Sequence, residues 1–269
     1  MKFDITIWGE ARDVIRKNLV IFTVAVAALL LVDIAIYALK PEVETPQLPT
    51  YIVGAYLAIA SHMTILRNVS GFTATGALPK WAFFKFCMRG LAIGFVTMIP
   101  ALLVMIPLFE VPEIKAASQQ AQYVLVFSAV LAFYGLAMLI VLSLVGTWLP
   151  SALVADGSSL KRAFARGRKT FGYVAFRLII GPGANIVLFF ATIFLLPGQF
   201  SEAVRTYTIH AGELAFIPFD MAMNALAYLV WATGIVLIAV VLSRAYQLGE
   251  ARLADASEPV TELKQAEVI

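Results

Sequence analysis

Leu19–Leu39, LVIFTVAVAALLLVDIAIYAL, is the stretch that decides the fold. It holds one charge, Asp33. A helix needs ~20 residues to cross ~30 Å of hydrocarbon, and this run is long enough. Lipid offers no partner to a backbone N–H or C=O, so such a run must be a helix or part of a closed barrel. A continuous apolar run lacks the alternation of a barrel strand. Five more runs follow, giving predicted spans at 18–39, 50–66, 90–109, 122–149, 174–196 and 214–242. The second is the shortest and most polar, with Ser61, His62 and Thr64.

Composition agrees. The chain is 61% hydrophobic and 14% charged, against ~45–50% and ~25% in a soluble domain. Its 269 residues leave no room for a separate soluble domain. Residues 1–17 carry acids and bases before a core of ~21 residues, against ~7–15 in a cleavable signal, so the first run is expected to stay as a span. Cys87 is the single cysteine, so no intrachain disulfide forms.

Orientation follows from Lys and Arg. Lys2, Arg12, Arg16 and Lys17 precede the first span, and Arg67, Lys80, Lys85 and Arg89 follow the second. Lys161, Arg162, Arg166, Arg168, Lys169 and Arg177 surround the fourth-to-fifth connection, and Arg244, Arg252 and Lys264 follow the sixth. The other side holds only Lys40, Lys115 and Arg205, among acidic loops. Both termini are therefore expected in the cytoplasm. The net charge of +3 marks topology and lipid contact, not nucleic-acid binding, which needs a basic patch on a folded domain.

The cytoplasmic connections are patterned. In 158–174, SSLKRAFARGRKTFGYV, Leu160, Ala163, Phe164, Phe171 and Val174 recur on one helical face. Lys161, Arg162, Arg166, Arg168 and Lys169 take the other, as in a helix lying among anionic headgroups. Ile7–Lys17 and 79–89 have similar patterns before spans one and three. The expected fold is thus all-α and polytopic. It has six transmembrane helices in three hairpins, each led by a cytoplasmic amphipathic elbow helix, at a spacing of ~70–85 residues. Residues 1–248 form a single transmembrane domain, and 249–269 a polar, partly disordered cytoplasmic tail.

The run SLKRAFARGRKTFG, residues 159–172, resembles the elbow after the fourth span of bacterial six-helix membrane proteins of largely unassigned role. Among these is the membrane domain attached to some glycerophosphoryl diester phosphodiesterases. The chain lacks their catalytic domain, so that activity does not carry over. The resemblance implies a protein integral to the cytoplasmic (inner) membrane of a bacterium.

No nucleophile elbow, P-loop, dinucleotide fingerprint, HExxH or CxxC is present. The expectation is a non-enzyme with no cofactor. His62 and His210 are the only histidines and make no metal site by spacing. Polar groups inside spans remain as candidates: Asp33, His62, Asn185, Asp220 and Asn224. Asp33 and Asp220 fall in the outer third, and His62, Asn185 and Asn224 near the midplane, where they could converge. In span five, Gly181-Pro182-Gly183 predicts a helix break, as a packing kink or a functional hinge.

Two functions fit these residues. One is a non-enzymatic membrane scaffold or accessory subunit acting through helix–helix and anionic-lipid contacts, with a membrane-protein partner or a homo-oligomer. The other is a transporter or permease for a small or amphipathic solute, with its site near the broken fifth helix.

Overall fold

The computed structural model describes residues 7–39, 47–108, 110–112, 114, 118–154, 159–211 and 214–256. Among them are six helices long and apolar enough to cross a membrane. Helix α1 is Ile7–Lys17, α2 Leu19–Leu39, α3 Gln47–Arg67 and α4 Phe72–Gly76. Helices α5 Ala82–Leu108, α6 Gln119–Val145, α7 Trp148–Val154 and α8 Leu160–Leu178 follow. A π-helical turn, Ile179–Gly183, joins α8 to α9, Ala184–Phe194. The short α10, Glu202–Arg205, leads to strands β1 Ile209–Ala211 and β2 Leu214–Phe216 and then to α11, Pro218–Asp255.

The chain gathers into two compact units. The first is Met1–Pro79 with Arg177–Ser243, and the second Lys80–Phe176 with Arg244–Ile269. The chain crosses between them inside α8 and inside α11. At ~1.5 Å per residue, the 38 residues of α11 reach ~57 Å, well beyond the hydrocarbon thickness. Both α8 and α11 therefore contribute residues to both units.

The first unit's core lies between α2, α3 and α11. Leu29, Leu57, Ile59, Met63, Val236, Leu237 and Leu242 are at most 1% exposed. Gly54 on α3 makes this fit possible, since a Cβ there would lie 3.2 Å from Trp231 and Ile235 of α11. In the second unit, α5 runs beside α6 and buries Ile93, Thr97 and Ala101. The spanning windows of α5 and α6 are only 17% and 11% buried, against 50% and 44% for α3 and α11. Most of the surface of these two helices is therefore exposed, with Phe95 at 70% and Leu103 at 66%, as suits large apolar side chains facing lipid.

Several expected boundaries move. Leu214 begins a strand, not span six. Ile209–Ala211 and Leu214–Phe216 pair as antiparallel strands with Ile209 opposite Phe216, and the helix starts at Pro218. Proline suits that first helical turn because its missing N–H has no intrahelical role there. Residues 206–209, TYTI, are an unbroken run of β-branched and aromatic residues, the local signal for a strand here. The elbows before spans three and five are not separate helices. Ala82–Leu108 is one helix, and α8 runs through the π turn into span five. Only α1 stands apart, at Asn18. The tail remains helical to Asp255; 257–269 lie outside the described residues.

Candidate functional site

Polar groups within the spans are handled one pair at a time. Asp33 is half-buried on α2, and Tyr228 Oη of α11 donates to its Oδ2 at 2.6 Å. Asn185, 4% exposed, opens α9 and donates from Nδ2 to the Val230 carbonyl at 2.8 Å. That approach needs a glycine opposite, because a Cβ on Gly234 would lie 2.8 Å from Asn185 Nδ2. His62 is 1% exposed, and its Nδ1 is hydrogen-bonded to Ser243 Oγ at 2.7 Å.

These sites do not converge. Ser243 lies thirteen residues beyond Val230 on α11, or about 20 Å at ~1.5 Å per residue. His62 therefore meets the last turn of the apolar stretch, and the expected midplane cluster of His62, Asn185 and Asn224 is not formed. Asn224 and Asp220 are exposed on the first turns of α11. An open groove of about 280 Å³ at the far end of α9 is lined by Ala191, Thr192, Leu195, Leu196 and Gln199. None of the five candidates lines it. Among the described residues two buried side-chain oxygens have no hydrogen-bond partner, Asn185 Oδ1 and Ser143 Oγ.

The expected helix break at Gly181, Pro182 and Gly183 is a correction. The helix widens for one turn and continues. Pro182 has no N–H and its ring crowds the preceding turn. A π turn absorbs both by inserting one extra residue. The Ala184 N–H then returns to the carbonyls of Gly181 and Ile179. The skipped Ile180 carbonyl accepts from Trp8 Nε1 of α1 at 3.2 Å. Beside it Ile7, fully buried, fills the space left by Gly181, where a Cβ would come within 2.7 Å of Ile7 Cδ1. The apolar face of α1, Ile7, Ala11 and Val14, is thus buried in protein and not in the headgroup layer.

Asn18 is a polar joint that the residue pattern did not single out. It is 2% exposed, between α1 and α2. Its Nδ2 donates to the Val14 carbonyl at 2.9 Å and to Thr64 Oγ1 at 2.8 Å. Its Oδ1 accepts from the Gly71 N–H at 2.8 Å. Gly71 holds φ +68, a left-handed conformation that glycine adopts without steric cost. The available signal was an asparagine placed between a basic helix and an apolar one.

The basic set on α8 divides. Arg166 is fully buried, which removes it from the expected headgroup contacts. Its Nη1 donates to Glu250 Oε1 at 2.6 Å, its Nε to Thr147 Oγ1 at 3.2 Å and its Nη2 to the Thr147 carbonyl at 3.3 Å. Its guanidinium also stacks 4.8 Å from the Tyr246 ring. Arg162 shares Glu250, through a 2.5 Å contact from Nη2 to Oε2. Lys161, Arg168 and Lys169 remain exposed. The buried face of α8 is Ala163, Arg166, Gly167, Thr170 and Val174, while Leu160, Phe164 and Phe171 point outward. Small residues let helix backbones approach, and bulky apolar ones face lipid. The predicted apolar face is therefore split between two surfaces.

Arg162 and Glu250 lie beyond the apolar stretches. Partial burial alone would raise the Glu250 carboxyl, but hydrogen bonds from Arg162 and then Arg166 outweigh it and hold it below its ordinary value of 4.5. The hydrogen bond to Glu250 in turn holds Arg162 above its usual range. Among the described residues no group of three or more His, Cys, Asp or Glu could hold a metal ion.

No protein-family model, curated protein or solved structure matches the chain. The contacts above are therefore what a functional reading has to stand on.

Proposed function

We propose that this chain is a non-enzymatic integral membrane scaffold or accessory subunit. It acts through helix–helix contacts in the bilayer and through anionic lipid on its basic side, in the cytoplasmic membrane of a bacterium with both termini inside. One observation carries the reading: three of the five intramembrane polar candidates, Asp33, His62 and Asn185, each have an internal hydrogen-bond partner at a different place. Asp33 has Tyr228, His62 has Ser243 and Asn185 has Val230. A substrate or ion path needs polar groups that face a common space, whereas isolated interhelical bonds are the way polar residues fasten membrane helices.

Gentle extraction and native mass spectrometry test this. Co-released partner subunits support the scaffold, and a bare protein carrying a stoichiometric small solute refutes it. A transporter or permease for a small or amphipathic solute is the second reading. It is favoured by the unpartnered Asn185 Oδ1 just after the π turn. It requires that Asn185→Leu abolish solute flux in proteoliposomes while the protein stays inserted and folded.

A further inference from the structure

The outward face of α8 has an order that composition alone hides. At ~100° per residue, Leu160, Phe164 and Phe171 fall within an arc of about 40°. All three are exposed, at 49%, 42% and 40%. Lys161 and Arg168, two turns apart and also exposed, form a basic strip immediately beside that arc. Lys169 falls nearly opposite the apolar strip, and Arg162 is turned to Glu250. The helix thus carries parallel apolar and basic strips on one side.

Its depth is set within the second unit. Gly167 lies so close to α6 that a Cβ would sit 1.8 Å from the Leu144 carbonyl oxygen. Arg166 reaches the Thr147 carbonyl. The apolar window of α6 ends at Val145. The middle of α8 is therefore level with the end of the fourth span, where hydrocarbon gives way to headgroups and Trp148 provides the aromatic residue typical of that boundary. At this level an apolar strip faces acyl chains and the adjoining bases face phosphates.

We propose that Leu160, Phe164 and Phe171, with Lys161 and Arg168, form a preformed seat for an anionic phospholipid. The helix is held rigid from behind by Arg166 and Glu250, and by Arg252, which donates to the Lys169 carbonyl. No helix has to fold on binding, so little ordering cost is subtracted from the affinity. The inference rests on the lipid-contact half of the scaffold reading and assigns it to a defined strip.

The test is native mass spectrometry of the full-length protein, titrated with anionic phospholipid in zwitterionic nanodiscs. Each base near an anionic surface contributes roughly a factor of five, so Lys161→Gln with Arg168→Gln is expected to weaken retention about thirty-fold. Lys169→Gln, on the far side, is expected to change it less than about two-fold. Equal losses in the two variants, or none in the double, overturn the seat. Spin labels at Phe164→Cys and Phe171→Cys, in a Cys87→Ala background, give a second measure. Greater accessibility to oxygen than to a water-soluble nickel chelate is expected, and the reverse overturns the seat. Unchanged lipid retention with a partner subunit still co-released defeats the seat and leaves the scaffold standing. Solute transport by the purified protein defeats the scaffold whatever the lipid result.

Discussion

Glu250→Ala removes the carboxylate from a fully buried arginine. Breaking a buried pair typically costs ~3–5 kcal/mol, because the remaining charge keeps its desolvation penalty. Here the figure is smaller. Glu250 keeps 26% side-chain exposure, and Arg166 retains both Thr147 acceptors and the Tyr246 face. Solvent screening and these contacts bring the expected loss to about 2–3 kcal/mol. Arg162 is 61% exposed, so Arg162→Ala should cost only ~0–1 kcal/mol. Replacing the pair, as Arg166→Met with Glu250→Ala, should recover most of the loss. Unfolding in mixed micelles by SDS titration, run as a double-mutant cycle, measures all three. The reasoning is refuted if Glu250→Ala is no worse than Arg162→Ala, or if the double variant loses the sum of its singles.

The same site sets a pH dependence. The Glu250 carboxyl is depressed in the folded state, so its contribution is present above the ordinary glutamate value and is lost as pH falls through the folded one. The melting temperature should hold at neutral pH and fall in the acid range, with a smaller fall in Glu250→Gln. Gly234→Ala should displace Asn185 from Val230, at about 1–3 kcal/mol for packing strain, and slow cross-linking between cysteines placed at 186 and 230 would report it. Trp8→Phe keeps an aromatic ring, though a smaller one, and removes the donor to Ile180, an expected loss of ~1 kcal/mol for the hydrogen bond, and a maleimide should then label Ala11→Cys faster than in the parent. Asn18→Ala leaves the Gly71 N–H without its acceptor and should cost about 1–3 kcal/mol. A melting temperature unchanged from the parent would remove Asn18 from the list of structural joints.

How much of the site was legible depended on the range of the interaction. Pro182 between two glycines announced a disturbed helix, since a missing N–H is a local property. Whether the helix would break or widen depended on Trp8 and Ile7, more than 170 residues away, which cap and fill the π turn. The even mix of bases on α8 suggested one lipid-facing set. Arg166 left that set because Glu250 and Thr147 happen to meet it, and no periodicity within α8 records their positions. His62 looked central by its place in span two. Its level was decided by Ser243, at the end of the apolar stretch of α11.

The sequence by itself determined the six helices long and apolar enough to cross a membrane, because the cost of an unsatisfied backbone in lipid leaves a long apolar run no other form. The loop charges carried the expectation of a basic side and an acidic one, since each loop shows its charges in plain view. The tertiary structure decided which polar groups are joined, which arginine is buried, and that the chain gathers into two compact units. Those outcomes rest on side chains distant in sequence that meet at hydrogen-bonding distance, and on glycines whose missing Cβ only matters once another helix lies against it.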